Sequence, residues 1–288
     1  MDTHTLHLAD AGIVYDVHGP DPASGERPLL AIGQPMDATG FRSLATHLAD
    51  RRLVAYDPRG LGRSTRSDGR TDHDPHVQAA DLHALIAELG APVDLFASSG
   101  GAITALALVA SYPDDVRTLV AHEPPLIEIL PDAVAARRVV DGYRDAYSRR
   151  GFGAGMAAFI AATSWPGEFT DEFLAQDPPE PAAFGLPAED DGSREDPLLS
   201  DRSRAVIELV PDTAALAAAP TRIVPAVGEE TGDALTARTT RALAALLGTQ
   251  VVVFPSHHGG FLDGEFGWPG KPAEFAARLR EVLRDVPV

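Results

Sequence analysis

The run Phe96-Ala97-Ser98-Ser99-Gly100-Gly101 sets two serines among small residues. With Ser99 in the serine place it follows the pattern G-x-S-x-G, Ala97 standing where the first glycine would. The chemistry wants this arrangement. A sharp strand-to-helix turn strains the serine backbone and lifts its hydroxyl clear of the sheet, and small neighbours are needed where strand and helix close in. Choosing Ser98 instead would put Phe96 in a glycine place, which sterics disfavour.

A serine hydroxyl is a poor nucleophile until a base takes its proton. The chain has 10 histidines, and position must filter them. His257 and His258 follow the apolar run Val251 to Phe254 and precede two glycines, a post-strand place suited to a base. His122 ends another apolar run, where a pocket wall is expected. The remaining histidines fall in early strands, helices or loops and read as structural or solvated. A carboxylate must then orient the imidazole and balance its charge. Glu229 and Glu230 follow Val227-Gly228, with Asp233 close behind; Glu123 follows His122. Any of them preserves the order serine, acid, histidine.

The elements that must position these groups alternate along the chain. Residues 5–18 alternate in polarity and predict a hairpin with its turn at Ala11-Gly12. Pro28 to Gly33 and Leu53 to Asp57 are continuous apolar runs suited to strands buried on both faces. Helical spacing predicts helices over 41–50 and 76–89, the second stopped by Gly90. A strand over 93–97, an Ala-rich helix over 101–111 closed by Pro113, and a strand over 116–122 follow. Strand, helix and strand return at 221–228, 233–247 and 251–254, and a last helix spans 272–284. Between them lie helical stretches over 132–150 and 153–163 and a Pro- and acid-rich loop over 177–197. This order predicts an α/β protein with a mostly parallel, twisted sheet, helices on both faces, and a mostly helical insertion. The core is assigned to 1–123 and 216–288, the cap to 124–215.

Composition narrows the function classes. The 288 residues carry 24 Lys plus Arg against 42 Asp plus Glu, a net charge of −18. Nucleic acid and anionic membrane both need basic surface, so neither is an expected partner. With no cysteine, thiolate nucleophiles, disulfides and thiolate metal sites are excluded. The N-terminal stretch lacks a basic and apolar leader pattern, and no run approaches the ~18 apolar residues of a membrane span, so a cytoplasmic location is expected. The acidic run 187–201 has no histidine nearby and reads as a solvated loop rather than a metal site.

Several ordered motifs together resemble the α/β-hydrolase superfamily, in its cap-bearing esterase-like and haloperoxidase-like branch. Ile32-Gly33-Gln34-Pro35 is similar to the H-G-x-P oxyanion segment, Asp57 to Ser64 to the D-x-R-G-x-G-x-S loop, and Ser256 to Phe261 to the late histidine loop. The departures are Ala97 for glycine and Ile32 for histidine, the latter losing one loop-bracing side chain. The resemblance implies Ser99 as nucleophile, His258 as base, and main-chain N–H groups of Gln34 and Gly100 as the oxyanion hole. It puts the acid first at Glu230, with Glu123 as the post-strand alternative that haloalkane dehalogenases use. The implied activity is a serine hydrolase cleaving an ester, lactone or thioester of a small apolar substrate, with no cofactor and no metal. A C–C bond hydrolase, a cofactor-free perhydrolase and a ligand-binding protein on the same fold are the alternatives. Serine rather than aspartate at the turn disfavours haloalkane dehalogenase or epoxide hydrolase chemistry. Met36, Phe41 and the cap aromatics are candidates for pocket wall or for core. Oligomeric state and substrate identity leave no signature.

Overall fold

The apolar run Leu29–Gln34 forms a strand with every residue buried, because both its faces are covered. Its side chains alternate between two cores: Leu30 and Ile32 join one cluster, Leu29 and Ala31 the other. The structure, a computed structural model, describes residues 1–20, 27–90 and 92–284. The strands are β1 (Asp2–His7), β2 (Ala11–His18), β3 (Leu29–Gln34), β4 (Leu53–Tyr56), β5 (Thr65–Arg66), β6 (Val93–Ser99), β7 (Val116–His122), β8 (Arg222–Gly228) and β9 (Val252–Phe254). The helices are α1 (Arg42–His47), α2 (Pro75–Leu89), α3 (Gly100–Ser111), α4 (Ala133–Ser164), α5 (Asp171–Leu174), α6 (Arg204–Ile207), α7 (Thr213–Ala218), α8 (Leu235–Leu246) and α9 (Pro272–Arg284).

The strands make one nine-stranded sheet in the order β1-β2-β4-β3-β6-β7-β8-β9, with β5 on β2. From β4 to β9 every pairing is parallel, while β1, β2 and β5 pair antiparallel. Helices α2 and α3 cover one face through Leu82, Leu85, Ile86, Ile103 and Leu106. Helices α1 and α9 cover the other through Leu44, Phe275 and Leu279. Each fully buried Leu or Phe of these clusters is worth roughly 1.5–3 kcal/mol against exposure.

The opening hairpin departs from expectation at its turn. Ala11 and Gly12 lie inside β2, and the chain reverses over Leu8–Asp10, where the Leu8 N–H donates to the Ala11 carbonyl at 2.8 Å. Polarity alternation runs through Ala11 without a break, so it could not locate the turn. The helix expected over 41–50 is shorter, a 3₁₀ turn over Ala38–Phe41 leading into α1.

Within 124–215, α4 is broken at Gly151, whose φ of 80° and ψ of −171° end one helix and begin the next. A side chain there would also strike Asp190. Tyr143, Tyr147, Phe169 and Leu199 build a third cluster, with Phe152, Phe159, Trp165 and Phe173 against it. The aromatics of this stretch thus pack one another: Trp165 meets Phe173 edge-on at 5.0 Å and Tyr143 meets Phe159 at 5.4 Å. At the ends of this stretch Leu126, Val206 and Leu209, with Leu216 just past it, pack instead with the α2–α3 core.

Candidate active site

The carboxyl ends of β3, β6, β7, β8 and the loop after β9 converge on one edge of the sheet. Ser99 ends β6 with φ 57° and ψ −130°, a conformation a non-glycine residue holds only when its surroundings enforce it. The enforcement is close packing. A Cβ on Gly101 would lie 2.8 Å from the Gly33 Cα and 2.9 Å from the Ile32 carbonyl oxygen, so the first turn of α3 rests directly on the β3 main chain. A Cβ on Gly100 would lie 2.8 Å from the Gln34 carbonyl oxygen. Gln34 is the register partner of Ser99 across β3 and β6, and Gly100 opens α3, where main-chain N–H groups have no helical partner.

Ser98 turns away from this edge. Its hydroxyl lies 3.2 Å from Nδ1 of His122, and both residues are buried. His122 is packed among the rings of Phe96, Phe254, Phe261 and Phe275 rather than along an open pocket. Burial pushes its pKa down to about 4, so the ring is neutral at neutral pH. Phe41 is likewise core, stacked on Phe261 at 5.5 Å, while Met36 folds over Gly33 and Gly40.

His257 and His258 part company. His257 Nδ1 accepts from the Gly259 N–H at 3.0 Å, leaving Nε2 to donate to the Pro269 carbonyl at 3.0 Å, so both nitrogens are engaged. His258 Nδ1 lies 2.6 Å from Glu123 Oε2, and its ring is 6.0 Å from that of His122. A proton on Nδ1 facing the carboxylate leaves Nε2 with its lone pair free for a substrate or hydroxyl proton.

The carboxylate beside His258 is therefore Glu123, and the expectation of Glu230 in that place is corrected. Glu123 has φ 50° at the end of β7 and is fully buried. Oε1 accepts from the Gly228 N–H at 2.8 Å and the Thr231 hydroxyl at 2.5 Å, and Oε2 from the Thr236 hydroxyl at 2.7 Å. Burial alone would raise its pKa. The hydrogen bond from His258, the attraction to the His258 and His122 rings when these are protonated, and the Thr231 hydroxyl outweigh it and hold the carboxyl well below the usual carboxylate range. Glu230 is turned outward and bonded to Lys271 Nζ at 2.6 Å, and Glu229 shares that lysine at 3.2 Å. Asp233 pairs with Arg241 at 2.8 Å.

Gly228 makes the meeting possible. A Cβ there would lie 2.7 Å from the Ser256 carbonyl oxygen and 2.9 Å from the His257 carbonyl carbon, so the histidine loop crosses the end of β8 only over a bare main chain. Nothing in the sequence flagged Thr231 and Thr236; hydroxyls after a strand-end glycine are a faint signal for a buried acceptor.

The loop after β4 braces the turn that follows β3. Asp57 accepts from the Ala38 N–H at 3.0 Å and from Arg63 Nε at 2.8 Å, tying the turn after β3 to the β4 end. Arg59 grips Asp81 of α2 with two hydrogen bonds, at 2.8 and 2.5 Å. Ser64 donates to the Asp57 carbonyl and accepts from Val14 N–H.

The chain belongs to the alpha/beta hydrolase family, whose model matches residues 17–278. The uncharacterized hydrolase YraK of Bacillus subtilis (strain 168) is 34% identical over 132 residues, covering 45% of this chain and 47% of YraK; the match thus spans about half of that relative's length. Among solved structures, a thermophilic esterase from Thermogutta terrifontis with malate bound superposes with a TM-score of 0.65 at 20% identity, covering 99% of this chain and 98% of that one. The N-acyl homoserine lactonase AidH in complex with N-butanoyl homoserine gives 0.63 at 18% identity, covering 99% and 97%. These structures share the fold. No helix among the described residues is long and apolar enough to cross a membrane.

Proposed function

We propose that the protein is a serine hydrolase that cleaves an ester, lactone or thioester of a small molecule through an acyl-enzyme. Ser99 attacks the carbonyl carbon while His258 Nε2 takes its proton. The tetrahedral oxyanion is met by the main-chain N–H groups of Gln34 and Gly100, donors already fixed before reaction. His258 returns the proton to the leaving oxygen or sulfur, and water attacks the acyl-enzyme by the reverse sequence. Glu123 holds the imidazole tautomer and balances the imidazolium as it forms.

The observation that carries this reading is the 2.6 Å contact from a buried, ionised Glu123 to His258 Nδ1, on the same sheet edge as a strained serine. A buried carboxylate facing one imidazole nitrogen is costly to maintain, and its use is to set the state of the other. The test is covalent. A fluorophosphonate probe is expected to label Ser99 alone by peptide mass spectrometry, and Ser99→Ala is expected to abolish both labelling and turnover of a short-chain ester. An adduct on Ser98, or a folded protein that takes no label, overturns the assignment.

A further inference from the structure

Gln34 carries a second polar group beside this site, distinct from its main-chain N–H. The residue is 4% exposed, and both Oε1 and Nε2 are buried without a hydrogen-bond partner among the described residues. A carboxamide has two donors and an acceptor, and leaving all of them unpaired in the interior is strongly unfavourable. A Met or Leu would fill the same space without that penalty.

Its position gives the orphaned carboxamide a destination. Leu30 and Ile32 face the α2–α3 core, and Gln34 continues their parity as the last residue of β3, at the edge of the sheet. Its Cβ and the Val206 Cγ1 each lie 3.1 Å from where a Gly100 Cβ would stand. The side chain thus starts between the serine turn and α6. Other buried side chains also have unpaired polar atoms, among them Gln78, His73 and Arg144, but Gln34 is the register partner of the nucleophile.

We infer that the Gln34 side chain is a specificity-determining residue that reads a cis N–H/C=O edge on the substrate: a primary amide, carbamate, urea or lactam near the scissile carbonyl. Such an edge meets a carboxamide in two parallel hydrogen bonds, N–H to Oε1 and Nε2–H to the carbonyl, and satisfies both orphaned atoms at once. A plain acyl chain leaves them unpaired, and a site with buried unpaired polar groups rejects the analogue that cannot pair them. This inference rests on the hydrolase reading above and narrows its substrate class.

The experiment compares matched esters that differ only by NH₂ for CH₃: ethyl oxamate against ethyl pyruvate, ethyl malonamate against ethyl acetoacetate, ethyl succinamate against ethyl levulinate. In the intact protein, kcat/KM for at least one amide is expected to exceed its ketone by at least ~10-fold. In Gln34→Met that ratio is expected to fall at least ~10-fold, towards the pair's ratio in uncatalysed hydrolysis, whatever the absolute rates, and the melting temperature to rise because the unpaired groups are gone. Should Gln34→Met not fold, Gln34→Glu keeps the shape and loses the donor, and its ratio is read the same way. Ester turnover with no amide preference in any pair, or a preference unchanged in the variant, overturns the inference and leaves the hydrolase reading standing. No turnover of any ester together with no probe label on Ser99 overturns both.

Discussion

The ends of β7 and β8 lie side by side in one sheet, and each offers a glutamate to the histidine loop. At the end of β7, Glu123 is enclosed, fully buried, and bonded to a main-chain N–H, two hydroxyls and an imidazole. At the end of β8, Glu230 has a side chain 46% exposed and a single lysine partner. The two differ by a strand, yet one carboxylate is fixed and dry and the other is solvated. Proximity to a histidine loop in the topology does not make an acid useful; the donors that replace water around it do. The β8 end still contributes to the site, because Gly228, Thr231 and Thr236 supply the cradle for the carboxylate of its neighbour.

The sharpest way to break this comparison is to exchange each acid for its amide. Glu123→Gln keeps the shape but removes the charge opposite the imidazolium and lets the wrong tautomer form. Turnover of a short ester is expected to fall on the order of 10⁴-fold, as such a change does in the serine protease template. Near-normal kcat in a folded Glu123→Gln enzyme would dissolve the distinction between the two strand ends.

The dryness of the β7 end has a second, smaller signature in acid. The folded-state pKa of His122 is about 4, below its ordinary 6.5. As pH falls between those values the unfolded chain binds a proton that the folded chain refuses, so stability present at neutral pH is lost across that window. At roughly 1.4 kcal/mol per unit the loss is on the order of 3 kcal/mol. His73, also buried and held at about 4, adds to it in the same direction. Urea unfolding at stepped pH should show this slope, flattened in His122→Asn and retained in His257→Asn. An unchanged slope in His122→Asn would mean that the interior of the β7 end is wetter than described.

The smallest effect sharpens the comparison from the other side. Glu230→Gln removes an exposed partner of Lys271, and exposed pairs are worth ~0–1 kcal/mol. Turnover within about twofold of the parent and an unfolding free energy within ~0.5 kcal/mol are expected. A hundredfold loss of turnover would return the acid to the β8 loop.

Much of this was legible in the residues. β7 and α9 coincide with the runs 116–122 and 272–284, because continuous apolar stretches and helical spacing report burial directly. The G-x-S-x-G reading singles out Ser99 over Ser98, and in the structure only Ser99 has the strained backbone. The choice between Glu123 and Glu230 was not legible. Both follow strands that end on one edge, and both keep the serine, acid, histidine order. What separates them is contact between Glu123 and groups more than 100 residues away at Gly228, Thr231 and Thr236, a meeting that exists only after folding. The orphaned carboxamide of Gln34 was hidden for the same reason, since a polar residue before a proline reads as the start of a loop.

The contact of Gly101 with Gly33 has a mechanical consequence. In the proposed mechanism the two oxyanion donors would sit on segments that touch main chain to main chain at Gly101 and Gly33, with no side chain between them to act as a spacer. The gauge of the attack geometry is therefore machined from backbone alone. Residues lining the substrate space can be exchanged, enlarged or repolarised by mutation while that gauge stays put. A lineage built on this frame is free to wander in what it recognises without having to rediscover how to hold a carbonyl.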